Sequence, residues 1–224
     1  MDEALLAHLQ TFLTDRRRKL FKEILEKRTR HFTVATEDVY QLHNTSAVMR
    51  SCEVFGIQDI HVVEESVGKQ IDKEIAMGAQ KWVNLHRYDS VQDSINSLRD
   101  QGYKIIATTP HTNATLLHDF DVSHKSAFFF GKERDGLSDI VMEQADGFLK
   151  IPMYGFTESL NLSVSAAITL QSVVTKLKQT EIPWQLSETE KKELELDWTK
   201  KTIKSIDEII ERYYEQKKHH CNRG

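Results

Sequence analysis

The sequence predicts an α/β fold with a mostly parallel sheet and added helices at both ends, on three observations. Three short runs are almost continuously apolar: 103–108 (YKIIAT), 127–130 and 148–151. Strands of a parallel sheet are buried on both faces and read this way rather than as alternating patterns. Segments with helical spacing alternate with these runs, the arrangement of βαβ units. The 224 residues are 39% hydrophobic and 29% charged, with nine glycines and three prolines. That is the composition of an ordinary globular chain, long enough to build a core without staples. Two cysteines, Cys52 and Cys221, leave no material for a disulfide framework.

The elements follow in order. Residues 3–30 read as helical and strongly charged, and a short extended segment begins at Thr33 and Val34. Asn44 has the chemistry of an N-cap for a helix through Ala47, Val48, Arg50 and Val54, and Gly56 can close that helix. A strand is expected over 57–63, loop and helix over 67–79, and a short strand over 82–85. Ser90 caps a helix ending near Gly102, and the apolar strands come next. Residues 162–177 form an apolar helix. After Pro183 the composition shifts, with a capping box at Ser187 and Glu190. Leu194, Trp198, Ile206, Ile210 and Tyr213 then recur at helical spacing, which predicts one or two C-terminal helices. The expected division is a basic N-terminal helical extension over 1–30, a central α/β domain over 31–180 and a C-terminal helical extension over 181–224.

The net charge of −4 conceals its distribution. Residues 16–30 hold eight lysines and arginines against Glu23 and Glu26, a net of +6, so the remainder carries −10. Such an arm suits phosphate binding, because each cation near a nucleic-acid backbone releases condensed counterions. It equally suits a solvated helix face. No apolar run approaches the ~18–20 residues of a spanning helix. The leucines of the first fourteen residues are interrupted by Asp2, Glu3 and His8, unlike a signal segment. A reducing, cytoplasmic setting is expected.

Several chemistries lack their motifs. G-x-G-x-x-G, H-E-x-x-H, C-x-x-C and G-x-S-x-G do not occur. The run from Gly131 to Gly136 opens like a phosphate loop but continues with Leu137 where that loop needs lysine. The tail His219-His220-Cys221 reads as a frayed terminus, since no further ligands stand at workable spacing. Three polar segments beside the buried runs remain: 43–50 (HNTSAVMR), 130–137 (FGKERDGL) and 151–163 (IPMYGFTESLNLS). Open α/β sheets bind ligands just beyond such strands. Each segment also has a plain structural reading. Asn44, Ser159 and Asn161 can cap helices, Arg50 can pair with Glu53, and Glu133 and Asp135 can be turn residues.

Taken together, N-x-x-A-x-x-R, G-x-E-x-x-G-L and I-P-M-x-G-x-x-x-S-L-N-x-S resemble, in that order, the three motifs of the SpoU/TrmH branch of the SPOUT methyltransferases. The resemblance covers roughly residues 15–180. Upstream, 16–30 and Glu37-Asp38-Val39 resemble the members that methylate the D-loop guanosine of tRNA. The resemblance implies an α/β domain with a deep C-terminal trefoil knot, which pattern reasoning alone would reject. It implies S-adenosylmethionine as cofactor, held by backbone groups, with the contact positions falling on Thr109, Gly131, Ile151 and Leu160. It implies no metal, a homodimer with the active site between subunits, and methylation of a ribose 2′-hydroxyl at tRNA position 18.

On the same basis the catalytic positions are Arg50, Asn44, Glu133, Ser159 and Asn161. Asn44 and Asn161 would orient Arg50 and the substrate, Ser159 would support its loop, and Glu133 would orient the site or the RNA. Arg16, Arg17, Arg18 and Lys19 are the candidates for tRNA phosphate contacts. A guanidinium ordinarily stays protonated. Arg50 is therefore either a transient base in a desolvated site or a cation that stabilises the developing alkoxide. Alternatives are the same reaction on ribosomal RNA or on a tRNA wobble nucleotide, and a catalytically silent RNA-binding protein.

Overall fold

The computed structural model describes residues 2–38, 42–64, 78–110, 113–132 and 135–221. The chain divides into two compact units, one of Thr29–Gln185 and one of Met1–Arg28 with Leu186–Gly224.

The larger unit is a seven-stranded sheet in the order β3-β2-β1-β6-β4-β7-β5, every pair parallel. Its strands are β1 (Phe32–Glu37), β2 (Asp59–Val63), β3 (Asn84–Tyr88), β4 (Lys104–Thr108), β5 (Thr115–Leu116), β6 (Ser126–Phe130) and β7 (Gly147–Lys150). The helices between them are α3 (Leu42–Val54), α4 (Val91–Asp100) and α5 (Asp139–Gln144), and α6 (Leu162–Leu177) follows β7. Every residue of β1, β2 and β6 is buried, as the continuous apolar runs require.

Alternate residues of each strand feed separate cores. Phe32, Val34, Phe128 and Phe130 join Val48, Met49, Leu170 and Val173 of α3 and α6 on one face. Ala35, Ala127, Phe129 and Ile105 join Ile95, Leu98 and Val141 of α4 and α5 on the other. Strand order reverses at the β1/β6 junction, since β2 and β3 lie to one side and β4, β7 and β5 to the other.

The structure departs from the sequence expectations at several points. Asn44 is not the cap of α3: the helix begins at Leu42, so Asn44 lies in its first turn and its side chain is engaged elsewhere. The strand expected over 82–85 is shifted to Asn84–Tyr88, behind a 3₁₀ turn at Ala79–Lys81. β5 and α5 carry no readable signal in the sequence. Both are too short for a periodicity signal, and β5 exists through its pairing with β7. Of the stretch expected over 67–79, residues 67–77 lie outside the described residues.

The smaller unit is helical. The stretch expected to be helical over 3–30 holds two helices, α1 (Glu3–Gln10) and α2 (Asp15–Leu25). Thr14 starts the second one, its hydroxyl accepting from the Arg17 N–H. α7 (Glu188–Thr202) opens with the Ser187–Glu190 capping box read from sequence, and α8 (Ile206–Cys221) follows a break where Ser205 takes φ +51°. Trp198 of α7 is buried between the Phe21 ring, 5.6 Å away, and the Arg28 guanidinium, 5.3 Å away. Lys191 pairs with Glu26 at 2.7 Å and Lys192 with Glu3 at 2.6 Å. The terminal segments are thus one packed body. Among the described residues no helix is long and apolar enough to cross a membrane.

A polar layer lies at the β2–β3 edge. Asp59 accepts from Arg30 Nε at 2.8 Å and Asn84 at 3.0 Å, and His86 lies 3.0 Å away. Burial pushes the Asp59 carboxyl up, but His86, Arg30 and Asn84 together hold it at about 2. His61 stacks on His86 at 4.7 Å, and its Nδ1 meets the Tyr88 hydroxyl at 3.0 Å. Its Nε2 has no hydrogen-bond partner among the described residues. Burial first, then the neighbouring His86, push His61 down to about 4 from an ordinary 6.5, against the pull of Asp59.

A buried neutral histidine takes up its proton more readily in the unfolded chain. Its contribution is therefore complete above pH 6.5 and is lost as pH falls towards 4, by about 3 kcal/mol. Denaturant titrations across that range should show this loss. In His61→Phe, which keeps the ring stack, the slope between pH 6.5 and 4 should flatten.

Candidate active site

The carboxyl ends of β4, β6 and β7 converge beside the point where strand order reverses. The loops leaving them, together with the start of α6, enclose a cavity of about 520 Å³. That volume lies within the ~300–1,000 Å³ range of small-ligand sites. Thr109 enters from β4, Gly131 from β6, and Ile151 and Leu160 from the segment after β7, so the four residues assigned to the cofactor all line one space. Ser159 lines it too. Residues up to 51 positions apart in sequence, each following one of three separate strands, meet here because β4 lies between β6 and β7.

Each wall has a local cause. The Thr109 N–H bonds the Leu149 carbonyl at 3.0 Å, continuing the β4–β7 ladder one residue past the strand and fixing where the chain turns. The Thr108 hydroxyl donates to the Phe129 carbonyl at 2.6 Å. After β6 the chain folds back on itself: Lys132 N–H donates to Gly136 O at 2.9 Å, and Gly136 N–H to Lys132 O at 3.0 Å. Gly136 takes φ +72°, which glycine adopts without strain. A Cβ on Gly131 would stand 2.2 Å from the Gly136 carbonyl carbon and oxygen and 2.4 Å from Leu137 N. The loop closes on itself only because residue 131 has no side chain. A cavity of this size, bordered by a loop that closes only over a glycine, fits a cofactor of nucleoside dimensions.

The loop's two ends are also tied to β1. Lys132 Nζ lies 3.2 Å from Asp38 Oδ2, and Ser138 N–H donates to Glu37 Oε2 at 3.0 Å. These segments are visible in the sequence, but nothing in it signals their pairing, which depends on strand register.

Among the catalytic positions, the structure joins Asn44 to Asn161. Asn161 Nδ2 donates to Asn44 Oδ1 at 3.2 Å, across 117 residues of sequence. Asn161 also caps α6, its Oδ1 accepting from the Ser163 N–H at 2.9 Å and hydroxyl at 2.6 Å. It therefore has the structural role expected of a cap and a second contact that capping does not explain. Arg50 is exposed on α3 and does not line the cavity of its own chain. Glu133 lies outside the described residues. Val164 and Ile168 of α6 are exposed apolar residues, as is Leu160 just before the helix, and Tyr154 and Phe156 are fully exposed in the preceding loop.

In the helical unit, Arg16, Arg17 and Lys19 of α2 are exposed. Arg18 is half-buried and pairs with Asp15. Two of the eight cations counted between 16 and 30 do not belong to this basic surface. Arg28 is buried against Trp198, and Arg30, in the sheet unit, is bonded to Asp59. The side chains of His219, His220 and Cys221 lie outside the described residues.

The comparisons with known proteins agree with this geometry. A model of the SpoU rRNA Methylase family matches residues 31–171. The chain is 35% identical over 201 residues to the tRNA (guanosine(18)-2′-O)-methyltransferase of Borreliella burgdorferi, covering 90% of this chain and 92% of that one. It superposes on the crystal structure of the A. aeolicus TrmH/SpoU tRNA modifying enzyme with a TM-score of 0.76 and 28% identity, over 84% of this chain and 98% of that one. The SpoU methyltransferase AviRb from Streptomyces viridochromogenes, solved with the cofactor AdoMet, shares the fold at a TM-score of 0.60 and 22% identity, over 71% of this chain and 62% of that one. With its parallel sheet, its loop-walled cavity and a family match spanning most of the sheet unit, the chain belongs to the SpoU methylase family.

Proposed function

We propose that this chain transfers a methyl group from S-adenosylmethionine to the ribose 2′-hydroxyl of the D-loop guanosine at position 18 of tRNA. The observation that carries the reading is the likeness to the Borreliella enzyme of that name along nine-tenths of both chains. The cofactor assignment is supported by the cavity and by the AdoMet-bound relative of the same fold. The knot implied by the sequence motifs belongs to the same reading, supported by the likeness to the A. aeolicus enzyme.

When bound, the cofactor's sulfonium supplies a methyl group that is already electrophilic, and the residues have the remaining work. Thr109, Gly131, Ile151 and Leu160 hold the cofactor, and Ser159 steadies the loop between β7 and α6. The 2′-hydroxyl must lose its proton and lie in line with the methyl group. Arg50 would stabilise the developing alkoxide as a cation while the hydroxyl proton leaves to solvent. Asn44 and Asn161 act as a pair to orient the substrate, and Glu133 orients the site or the RNA.

Arg50 stands outside the cavity of its own chain, which suits a homodimer whose active site lies between subunits. Exposed Val164 and Ile168 of α6 and exposed Val54 of α3 are the surface such a partner would cover. The helices at 1–30 supply RNA contacts through Arg16, Arg17, Arg18 and Lys19, the middle of the chain performs catalysis, and the helices beyond 181 complete the terminal body. The enzyme acts in the cytoplasm, where tRNA is its substrate.

Methyl transfer from labelled S-adenosylmethionine to tRNA transcripts tests the reading. Label should enter a transcript with guanosine at position 18 and should fall to background when that ribose is 2′-deoxy. Equal labelling of both would sink the site assignment. Labelling of ribosomal RNA or a wobble nucleotide instead would move the substrate within the family, and labelling of no RNA by a cofactor-bound chain would make it a silent binder.

A further inference from the structure

Two consecutive carboxylates at the end of β1 are unused by the chemistry above. Glu37 and Asp38 are 3% and 2% exposed. A buried carboxylate is unfavourable unless its oxygens are satisfied, so their partners indicate what they are for. β1 runs beside β6 with Thr36 opposite Phe130. Glu37 and Asp38 follow that last pair directly, where the loop that walls the cavity leaves β6.

The two side chains grip the two ends of that loop. Asp38 pairs with Lys132 at its start, at 3.2 Å. Glu37 accepts the Ser138 N–H at its end, at 3.0 Å. Between them run the paired Lys132–Gly136 backbone bonds and the Gly131 contact. Asp38 itself takes φ +45°, with its N–H held by the Val63 carbonyl at 3.0 Å. Positive φ is uncommon for a non-glycine residue, although aspartate and asparagine adopt it more readily than others. A buried ion pair is a weak source of stability, and its best-attested value is in fixing one arrangement over others. Lys132, Gly136 and Leu137 line the cavity, whereas Glu37 and Asp38 do not.

We infer that Glu37 and Asp38 are positioning residues that clamp loop 131–138 from both ends, so that cofactor affinity depends on two carboxylates that never touch the cofactor. The inference rests on the cavity being the S-adenosylmethionine site.

The test uses the full chain with Asp38→Asn, Glu37→Gln, Lys132→Met and the double variant Asp38→Asn/Lys132→Met. Asparagine tolerates positive φ, so Asp38→Asn removes the charge without adding backbone strain. Calorimetric binding of S-adenosylmethionine and S-adenosylhomocysteine is read beside tRNA affinity and the amide exchange rates of Gly136 and Ser138 measured without cofactor. Each carboxylate variant should weaken cofactor binding about tenfold or more, the range for a bond to a charged group. Exchange should speed up at Gly136 in Asp38→Asn and at Ser138 in Glu37→Gln, with tRNA affinity unchanged. The double variant should bind no more weakly than Lys132→Met alone.

Unchanged cofactor affinity in the variants overturns the inference, as does a parallel loss of tRNA binding, which would indicate general unfolding. Additive losses in the double variant overturn the route through Lys132. A wild-type chain that bound neither compound would instead overturn the function proposed above, and the cofactor part of this inference with it.

Discussion

Arg50→Ala should lower turnover of the tRNA reaction by about 10²–10³, the range for removing one preorganised charge-stabilising group, while cofactor affinity stays within about twofold. The split follows from placement. Arg50 is exposed on α3 and contributes nothing to the wall of the cavity in its own chain. Its loss removes charge from the reacting hydroxyl's surroundings without reshaping loops 131–138 or 151–161. Single-turnover rates with saturating cofactor, set beside calorimetric cofactor affinities, check it. If affinity fell as steeply as rate, Arg50 would belong to the cofactor site. Arg50→Lys separates the two chemical readings. A cation that only neutralises charge is partly replaced by lysine, whereas a forked contact to phosphate and alkoxide together is not.

Gly131→Ala should have the second large effect, and it acts on binding. The added methyl would stand 2.2 Å from the backbone of Gly136, and backbone cannot swing aside as a side-chain tip does. Either the 131–138 loop opens or β6 shifts against its neighbours. Overpacking of this kind costs about 3 kcal/mol, a fall of roughly 6–12 °C in Tm for a unit of this size. The opened loop should reduce cofactor affinity by about a hundredfold or more, with tRNA affinity retained. Gly155→Ala is the control, since nothing lies within 4 Å of a Cβ there. Thermal unfolding and cofactor titration of both variants check it. A Gly131→Ala chain that bound cofactor normally would show the loop is not held closed by that contact.

Much of the candidate site is legible in the sequence. Gly131, Leu160 and Ile151 stand in motif segments whose order and spacing are specific, and Asn161 was readable both as a cap and as a motif residue. Where the reading failed, it failed for local signals with non-local resolution. Asn44 has the chemistry of a cap and is used as a bridge to Asn161 instead. Arg28 and Arg30 counted towards a basic arm, but burial against Trp198 and pairing with Asp59 remove them from it. A charge sum cannot see burial. The pairing of Asp38 with Lys132 has no sequence signature, because it follows from β1 and β6 being neighbours in one register.

The sequence by itself determined the alternation of buried strands with helices, the parallel character of the sheet, the family and the residue types offered for chemistry. These follow from side-chain period and local motif, which the chain carries wherever it folds. Only the tertiary structure decided that β6 lies between β1 and β4, that loops from three strands share one cavity, and that the two terminal segments pack as a single helical unit. The reason is physical: strand order, register and the removal of particular charges from water are settled by which surfaces bury each other, and no stretch of local sequence holds that information alone.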